Sequence, residues 1–242
     1  MAKNTGVIQL QGTIGNMVFN RNGTVGQKPA GRAQSAVRTL ENNAEFVTAV
    51  KAAKLLNDPM RPYIRDAKDA RSFNRLSALM SKIIKKDSVN PRGQRGVLDD
   101  ELMDLKGFDF NAQSGLKSTL FAEITPTFTR ASGEAILSVD AHSALAAIAP
   151  PQGGTHYKFF GVALEVDFAT GETIVKSAES PEISLTDAVV PLTDLAVDVT
   201  PASTKTVIFG IGIKFYQKVN AVSYPLQNGA FNAFQLVEVE LP

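Results

Sequence analysis

Apolar residues fall along this chain in three successive patterns. Over residues 1–35 they come in short clusters, Val7-Ile8 with Leu10, then Ile14, then Met17-Val18-Phe19, separated by glycines. Val7-Ile8-Gln9-Leu10 and Asn16–Arg21 read as short strands. Asn22-Gly23 before Thr24-Val25 is the strongest two-residue hairpin signal, and it also accounts for the Asn22-Gly-Thr24 sequon. Glycines at 6, 12, 15, 23, 26 and 31 leave the segment too few side chains for a core of its own. An isolated hairpin is marginal in water, so this extended arm is expected to lie on another surface.

Helical spacing takes over within residues 36–106. Asn42 followed by Glu45 has the spacing of a capping box, and Phe46, Val50, Ala53 and Leu56 then share one predicted helical face. Asn57-Asp58-Pro59 is expected to end that helix and start the next. Phe73, Leu76, Met80 and Ile83 form the buried face of the second helix, with Arg75, Lys82, Lys85 and Lys86 turned away. The polar loop Asp87 to Gly96 closes the hairpin.

Residues 107–242 read as all-β. Strands are predicted at Ser118–Ile124, Ala135–Val139, Tyr157–Phe168, Thr173–Lys176, Asp194–Val199, Thr206–Gln217 and Ala233–Leu241. Turn signals recur between them, at Gly153-Gly154, Ala169-Thr-Gly171 and Pro201. The expected fold class is α+β: an N-terminal arm with a β-hairpin (1–35), a helical hairpin (36–106), and a C-terminal antiparallel β-sandwich of immunoglobulin-like kind (107–242). No Cys…Trp…Cys pattern ties it to the antibody domains themselves.

Charge changes this picture more than composition does. The 242 residues are 44% hydrophobic and 20% charged, ordinary globular values, with a formal net charge of +1. That sum hides a split, because residues 1–120 carry 19 Lys and Arg against 11 Asp and Glu, and residues 121–242 carry 6 against 13. Two functional readings follow. The basic half could bind nucleic acid, or the basic half of one subunit could meet the acidic half of the next, head to tail. Helices with wet lysine faces would also produce the split with no function attached.

Candidate chemistry is sparse. The absence of cysteine excludes disulfides, thiolate metal sites and a cysteine nucleophile, and two histidines, His142 and His156, make a multi-histidine metal site unexpected. No cofactor is expected. Asp140-Ala-His142-Ser143 groups an acid, an imidazole and a hydroxyl, but no nucleophile elbow supports a triad. Asp99-Asp100-Glu101 with Asp104 lacks a calcium-hand pattern and suits the start of a short helix. Gly210-Ile-Gly212 lacks the third glycine of a phosphate loop and is expected to mark a bulge or a close backbone contact. Arg61, Arg65, Lys68, Arg71, Arg75, Lys82, Lys85 and Lys86 recur along the helical segment, followed by Arg92 and Arg95. Such a basic face could neutralise phosphates. Interleaved Asp66, Asp69 and Asp87, and a sequence pI near 7.9, weigh against that use. Nothing in the chain resembles an export signal or approaches the roughly 18 apolar residues of a spanning helix. A product made in the cytoplasm, without membrane insertion, is expected.

Two stretches carry a family resemblance. Gly12-Thr-Ile-Gly-Asn-Met-Val-Phe19 with Arg38-Thr-Leu-Glu-Asn-Asn-Ala-Glu-Phe46, and Phe215-Tyr-Gln with Tyr224-Pro-Leu-Gln-Asn-Gly-Ala230, resemble a group of uncharacterised bacterial proteins of about this length. The resemblance covers most of the chain, implies one whole-chain unit, and carries no activity and no site residue.

Taken together, these features predict a non-enzymatic structural subunit that self-assembles, as in a surface filament, a phage tail or a shell. The assembly arm would be Val7, Ile8, Leu10, Ile14, Met17, Val18 and Phe19, added as a strand to an open sheet edge of a neighbouring copy. The alternative is a binding module, taking nucleic acid on the basic helical face or carbohydrate on the sandwich. The absence of tryptophan removes the best stacking platform for a sugar.

Overall fold

The computed structural model describes residues 2–3, 10–28, 36–226 and 229–242. They divide into two compact units, residues 1–42 and 43–242.

The first unit contains a sheet of four short antiparallel strands: β1 (Ala2–Lys3), β2 (Gly12–Ile14), β3 (Met17–Phe19) and β4 (Thr24–Gln27), in the order β1-β4-β3-β2. The arm is therefore a small sheet rather than a single hairpin on an extended segment. Gly15, at φ 57°, makes the tight β2–β3 turn, and Gly23, at φ 76°, makes the expected turn between β3 and β4. Asn22 Oδ1 accepts from Thr24 N at 3.1 Å and from the Thr24 hydroxyl at 2.7 Å, the local bonding that suits asparagine to turns. Of the predicted strand at 7–10 only Leu10 is described, and it lies outside any strand; Val7 and Ile8 fall outside the described residues.

Helix α1 (Val37–Ile64) then runs unbroken through Pro59 and Pro62, contrary to the expected break at Asn57-Asp58-Pro59. It also starts ahead of the predicted cap, with Thr39 and Leu40 N–H donating to Ala36 O. Leu56, Met60 and Ile64, all fully buried, bracket both prolines, and their packing offsets the two missing backbone bonds. The predicted face holds at Ala53 and Leu56, with Val50 half-buried, and fails at Phe46. Phe46 is exposed, while Glu45, Ala49, Ala52, Ala53 and Leu56 are buried, and Glu45 accepts from Gly93 N at 3.0 Å. A 3-10 turn (Arg65–Ala67) leads to α2 (Ser72–Lys85), which buries Leu76, Met80 and Ile83 as expected. Asp87 closes the hairpin by accepting from the N–H groups of Gly96, Asn90 and Val89 and from the Asn90 amide, which holds its carboxyl well below the usual carboxylate range.

A second 3-10 helix, Asp99–Leu105, carries the acidic cluster in its first turn. The single turn α3 (Leu116–Thr119) follows, then β5 (Ile124–Thr129), β6 (Glu134–Val139), the single turn α4 (Ala144–Ala147), β7 (His156–Val166), β8 (Thr173–Glu179), β9 (Ile183–Ser184), β10 (Thr193–Ala196), β11 (Thr206–Val219), β12 (Val222–Pro225) and β13 (Ala233–Glu240). The strand predicted at Ser118–Ile124 is displaced. Ser118 and Thr119 hydroxyls donate to Gly115 O and close a helical turn there, so the strand begins only at Ile124.

β7 and β11 pair antiparallel from Val166↔Thr206 to His156↔Tyr216, and β8, β9, β12 and β13 complete a six-stranded sheet around them. β5, β6 and β10 form a separate three-stranded sheet. Alternation sorts the central pair onto two cores. Phe160, Val162, Leu164, Val166 and Ile208 join the helices α1 and α2. Tyr157, Phe159, Ala163, Val207, Phe209, Ile211, Ile213 and Phe215 meet the three-stranded sheet. Strands buried on both faces read as continuous apolar runs. The result is three layers: helices, six-stranded sheet, three-stranded sheet. The mixed α/β class and the antiparallel sheets match the sequence reading; an immunoglobulin-like sandwich is not confirmed, because helices cover a face that such a sandwich would leave in water.

Gly210 and Gly212 sit beneath the stacked rings of Phe160 and Phe234, whose centroids are 5.4 Å apart. The β11–β13 register also shifts between Phe209 and Gly210, so both expectations for these glycines are met. A Cβ on Gly212 would stand 2.3 Å from Ala233 O and 2.5 Å from the Phe160 ring. Gly161, on the opposite face, leaves 3.0 Å to a flexible Leu137 methyl. Gly212→Ala is expected to destabilise by about 1–3 kcal/mol in urea unfolding, and Gly161→Ala by less, because backbone and a stacked ring cannot yield as a methyl can.

Glu165 is the one acid inside the β7 run and is fully buried. Its carboxylate accepts from Thr200 N and Thr200 Oγ1, both at 2.8 Å, and from Ser203 Oγ at 2.7 Å. Burial pushes its pKa up, but the Thr200 N–H, the two hydroxyls and the Lys205 charge together outweigh burial, and the net shift is downward. A lowered carboxylate adds stability that is present above its usual value, about 4.5, and lost as pH falls through the folded value. Glu165→Ala should therefore cost about 1–3 kcal/mol at neutral pH. Thermal melts should show that gap narrowing as pH is taken down below 4.5; a gap independent of pH would contradict the assignment.

Candidate assembly surfaces

The strands of the N-terminal sheet are too short to shelter their own side chains. Leu10, Ile14 and Met17 are 48%, 63% and 51% exposed, while Val18 and Phe19 are half-buried. The first turn of α1 adds Val37 and Leu40, also exposed and spaced to share one helical face. Residues 1–40 contain Lys3, Arg21, Lys28, Arg32 and Arg38 and no acidic residue. Apolar side chains on a purely basic segment are thus the chemistry this unit presents.

The basic face of the helical segment is partly consumed by the fold. Arg75 Nη1 pairs with Asp69 at 2.7 Å, its Nη2 donates to Asp109 O at 2.9 Å, and its guanidinium lies over the Phe108 ring. Lys86 bridges Glu101 at 2.9 Å and Asp104 at 2.7 Å, which raises its pKa. Arg65 contacts Asp66 at 3.3 Å on the surface. Burial lowers the pKa of Lys68, the nearby Arg61 adds to that, and Asp58 opposes it. Arg61, Arg71, Lys82 and Lys85 are exposed. The eight cations do not make one unbroken free stripe, because Arg75 and Lys86 serve as struts to neighbouring segments.

His142 does not form a triad. Its Nδ1 lies 2.7 Å from the backbone carbonyl of Asp140 and its Nε2 lies 3.0 Å from the Tyr157 hydroxyl. Burial, with the Asp187 charge adding to it, pushes the Tyr157 phenol up, so its O–H remains available to donate to Nε2. His142 is a bridge between a loop and the β7 core. His156 Nδ1 meets its neighbour Thr155 Oγ1 at 3.0 Å. Among the described residues no cluster of acidic and histidine side chains could hold a metal ion, and no helix is long and apolar enough to cross a membrane.

Two grooves open on the β layers. The larger, about 490 Å³, runs between the edges of β5 and β13 and is lined by Lys106, Lys117, Phe121, Glu123, Ile124 and Glu238, with Lys106 held on Glu238 at 2.7 Å. The second, about 360 Å³, lies between β9 and β10 and is lined by Glu182, Ile183, Asp187, Val189, Leu192 and Asp194. No Lys or Arg lines it. Val189 and Leu192 are 81% and 54% exposed, and Leu145 on α4 is 73% exposed. The backbone joins these positions: Ala144 N donates to Asp187 O at 3.1 Å, and His142 and Val190 exchange bonds of 3.0 and 2.7 Å. Sequence reasoning passed over this surface. Its one signal was that residues 177–204 contain five acids and no cation. Compared with protein-family models, curated proteins and solved structures, the chain matches none.

Proposed function

We propose that this chain is a structural subunit that assembles head to tail, using its N-terminal unit as the attachment element. The observation that carries the reading is the exposure of Leu10, Ile14 and Met17 on a basic unit whose strands are too short to bury them. Large apolar side chains on a segment without its own core are stabilised by burial against a partner. All three are already about half covered, so completing their burial would contribute about 2–5 kcal/mol gross. Association itself costs about 4–15 kcal/mol in lost freedom. Three side chains are therefore not enough alone, and Val37 and Leu40, exposed in the same unit, add a further share. Opposite charge on residues 1–120 and 121–242 then orients the encounter. A donor surface and an acceptor surface that differ make a heterologous contact, which builds a ring or an open fibre.

Light scattering of the full chain across a concentration series tests this reading. Wild type is expected to grow in mass, and the double variant Ile14→Asp/Met17→Asp to remain monomeric with an unchanged thermal melt. A variant that assembles like wild type would overturn the proposal.

Raising salt should weaken association partially, since exposed charges are screened beyond about 10 Å at 0.1 M. Association that strengthens steadily with salt would assign the contact to apolar burial alone.

A further inference from the structure

We infer that the acceptor for the N-terminal unit is the acidic groove between β9 and β10 on a second copy of this chain; the inference rests on the head-to-tail assembly proposed above. Among the described residues, the groove between β5 and β13 and the groove between β9 and β10 are both edged with exposed apolar side chains, and charge separates them. The groove between β5 and β13 is balanced, with Lys106 and Lys117 against Glu123 and Glu238, so it offers no net attraction to an element whose first forty residues hold five cations and no acid. In the groove between β9 and β10 the charged lining is Glu182, Asp187 and Asp194.

Local bonding leaves most of that charge available. Glu182 is engaged by Lys158 at 3.8 Å and Lys218 at 3.2 Å, so its charge is largely answered within the chain. Asp187 accepts from Ser184 N at 3.2 Å, and Asp194 accepts from the Ser138 hydroxyl at 2.6 Å. Both partners are neutral, and among the described residues no cation pairs with Asp187, Asp194 or the nearby Asp140. Asp187 and Asp194 line the same groove as the exposed Val189 and Leu192, and exposed Leu145 follows Ala144, whose N–H donates to Asp187 O. The N-terminal unit offers the reverse: Leu10, Ile14 and Met17 with Lys3, Arg21 and Lys28. Apolar meets apolar while each rim of one sign meets the other, the arrangement that sets register and suppresses a wrong partner. The acceptor is also built. The exchanged His142–Val190 bonds and the Ala144–Asp187 bond hold the loop, so docking need not order it.

The test uses full-length protein throughout. Two acceptor variants, Val189→Lys/Leu192→Lys and separately Leu145→Lys, change exposed side chains and should melt like wild type. Phe121→Lys in the other groove is the control. Sedimentation and light scattering should show association weakened about 100-fold or more in the acceptor variants and unchanged in the control. Mixing the acceptor double variant with Ile14→Asp/Met17→Asp should then give a 1:1 dimer that grows no further, since one partner keeps a working groove and the other a working N-terminal unit. If the acceptor variants assemble normally while the N-terminal variant does not, the groove assignment is wrong and the assembly reading stands. If the N-terminal variant also assembles, the reading beneath the inference fails. Loss of association in Phe121→Lys alone would move the acceptor to the groove between β5 and β13.

Discussion

The ladder between β7 and β11 is the interaction on which residues 43–242 depend. Eleven residues of β7 pair with eleven of β11, and nearly all are buried on both faces. A sheet in that position must be covered twice, and the chain supplies a helical layer for one face and a smaller sheet for the other. The helix side needs room for two aromatic rings lying flat on the strands. Gly210 and Gly212 provide it, since any Cβ there would enter the Phe234 or Phe160 ring. The opposite face is levelled by Gly161, where Leu137, Val197 and Leu195 approach closely. Three glycines on a strand pair thus set the spacing of three layers.

Buried polar side chains then tie the connections to this frame. Glu165 holds the turn at Thr200 and Ser203, Asp69 holds Arg71, Arg75 and Ala112, and Asn232 links the Asp66 carbonyl to the Phe215 N–H. Each satisfies groups that would be costly to leave unpaired. Arg130 ties three carbonyls, those of Ser203, Lys205 and Leu241, near the end of the chain. Fixed loops matter for function here because the surface proposed to receive a neighbour is made of loops. The segment around Val189 is held by backbone bonds to His142 and Ala144, and His142 is itself braced on Tyr157.

The N-terminal unit obeys the opposite economy. Its strands are two to four residues long, its turns depend on Gly15 and Gly23, and among the described residues its larger side chains are exposed or half-covered. With no acid before Glu41, it is a cationic, apolar element on a chain whose remaining surface holds the acids. In the proposed assembly a second copy supplies the burial it lacks.

Local periodicity was enough to place the elements whose fate is local. Helix α2, the Asn22-Gly23 turn and the strands β6, β7, β8, β10, β11 and β13 were legible within a few residues, and α1 was legible as a helix though not in its ends, because alternation and helical spacing are written in consecutive positions. Contacts between distant residues decided the rest. Pro59 signals a helix end, yet Leu56, Met60 and Ile64 find a core on both sides of it. Phe46 looks like a core residue, yet the helix turns Glu45 and Ala49 inward, where Glu45 finds Gly93, forty-eight residues away. Arg75 and Lys86 look like free cations until Asp69, Glu101 and Asp104 are brought beside them. The exposed group of Leu145, Val189 and Leu192 had no apolar periodicity, because its members come from α4 and a distant loop that only the His142–Val190 and Ala144–Asp187 bonds make neighbours. A sequence fixes which side chains can be buried; which of them are depends on the surfaces that folding brings opposite them.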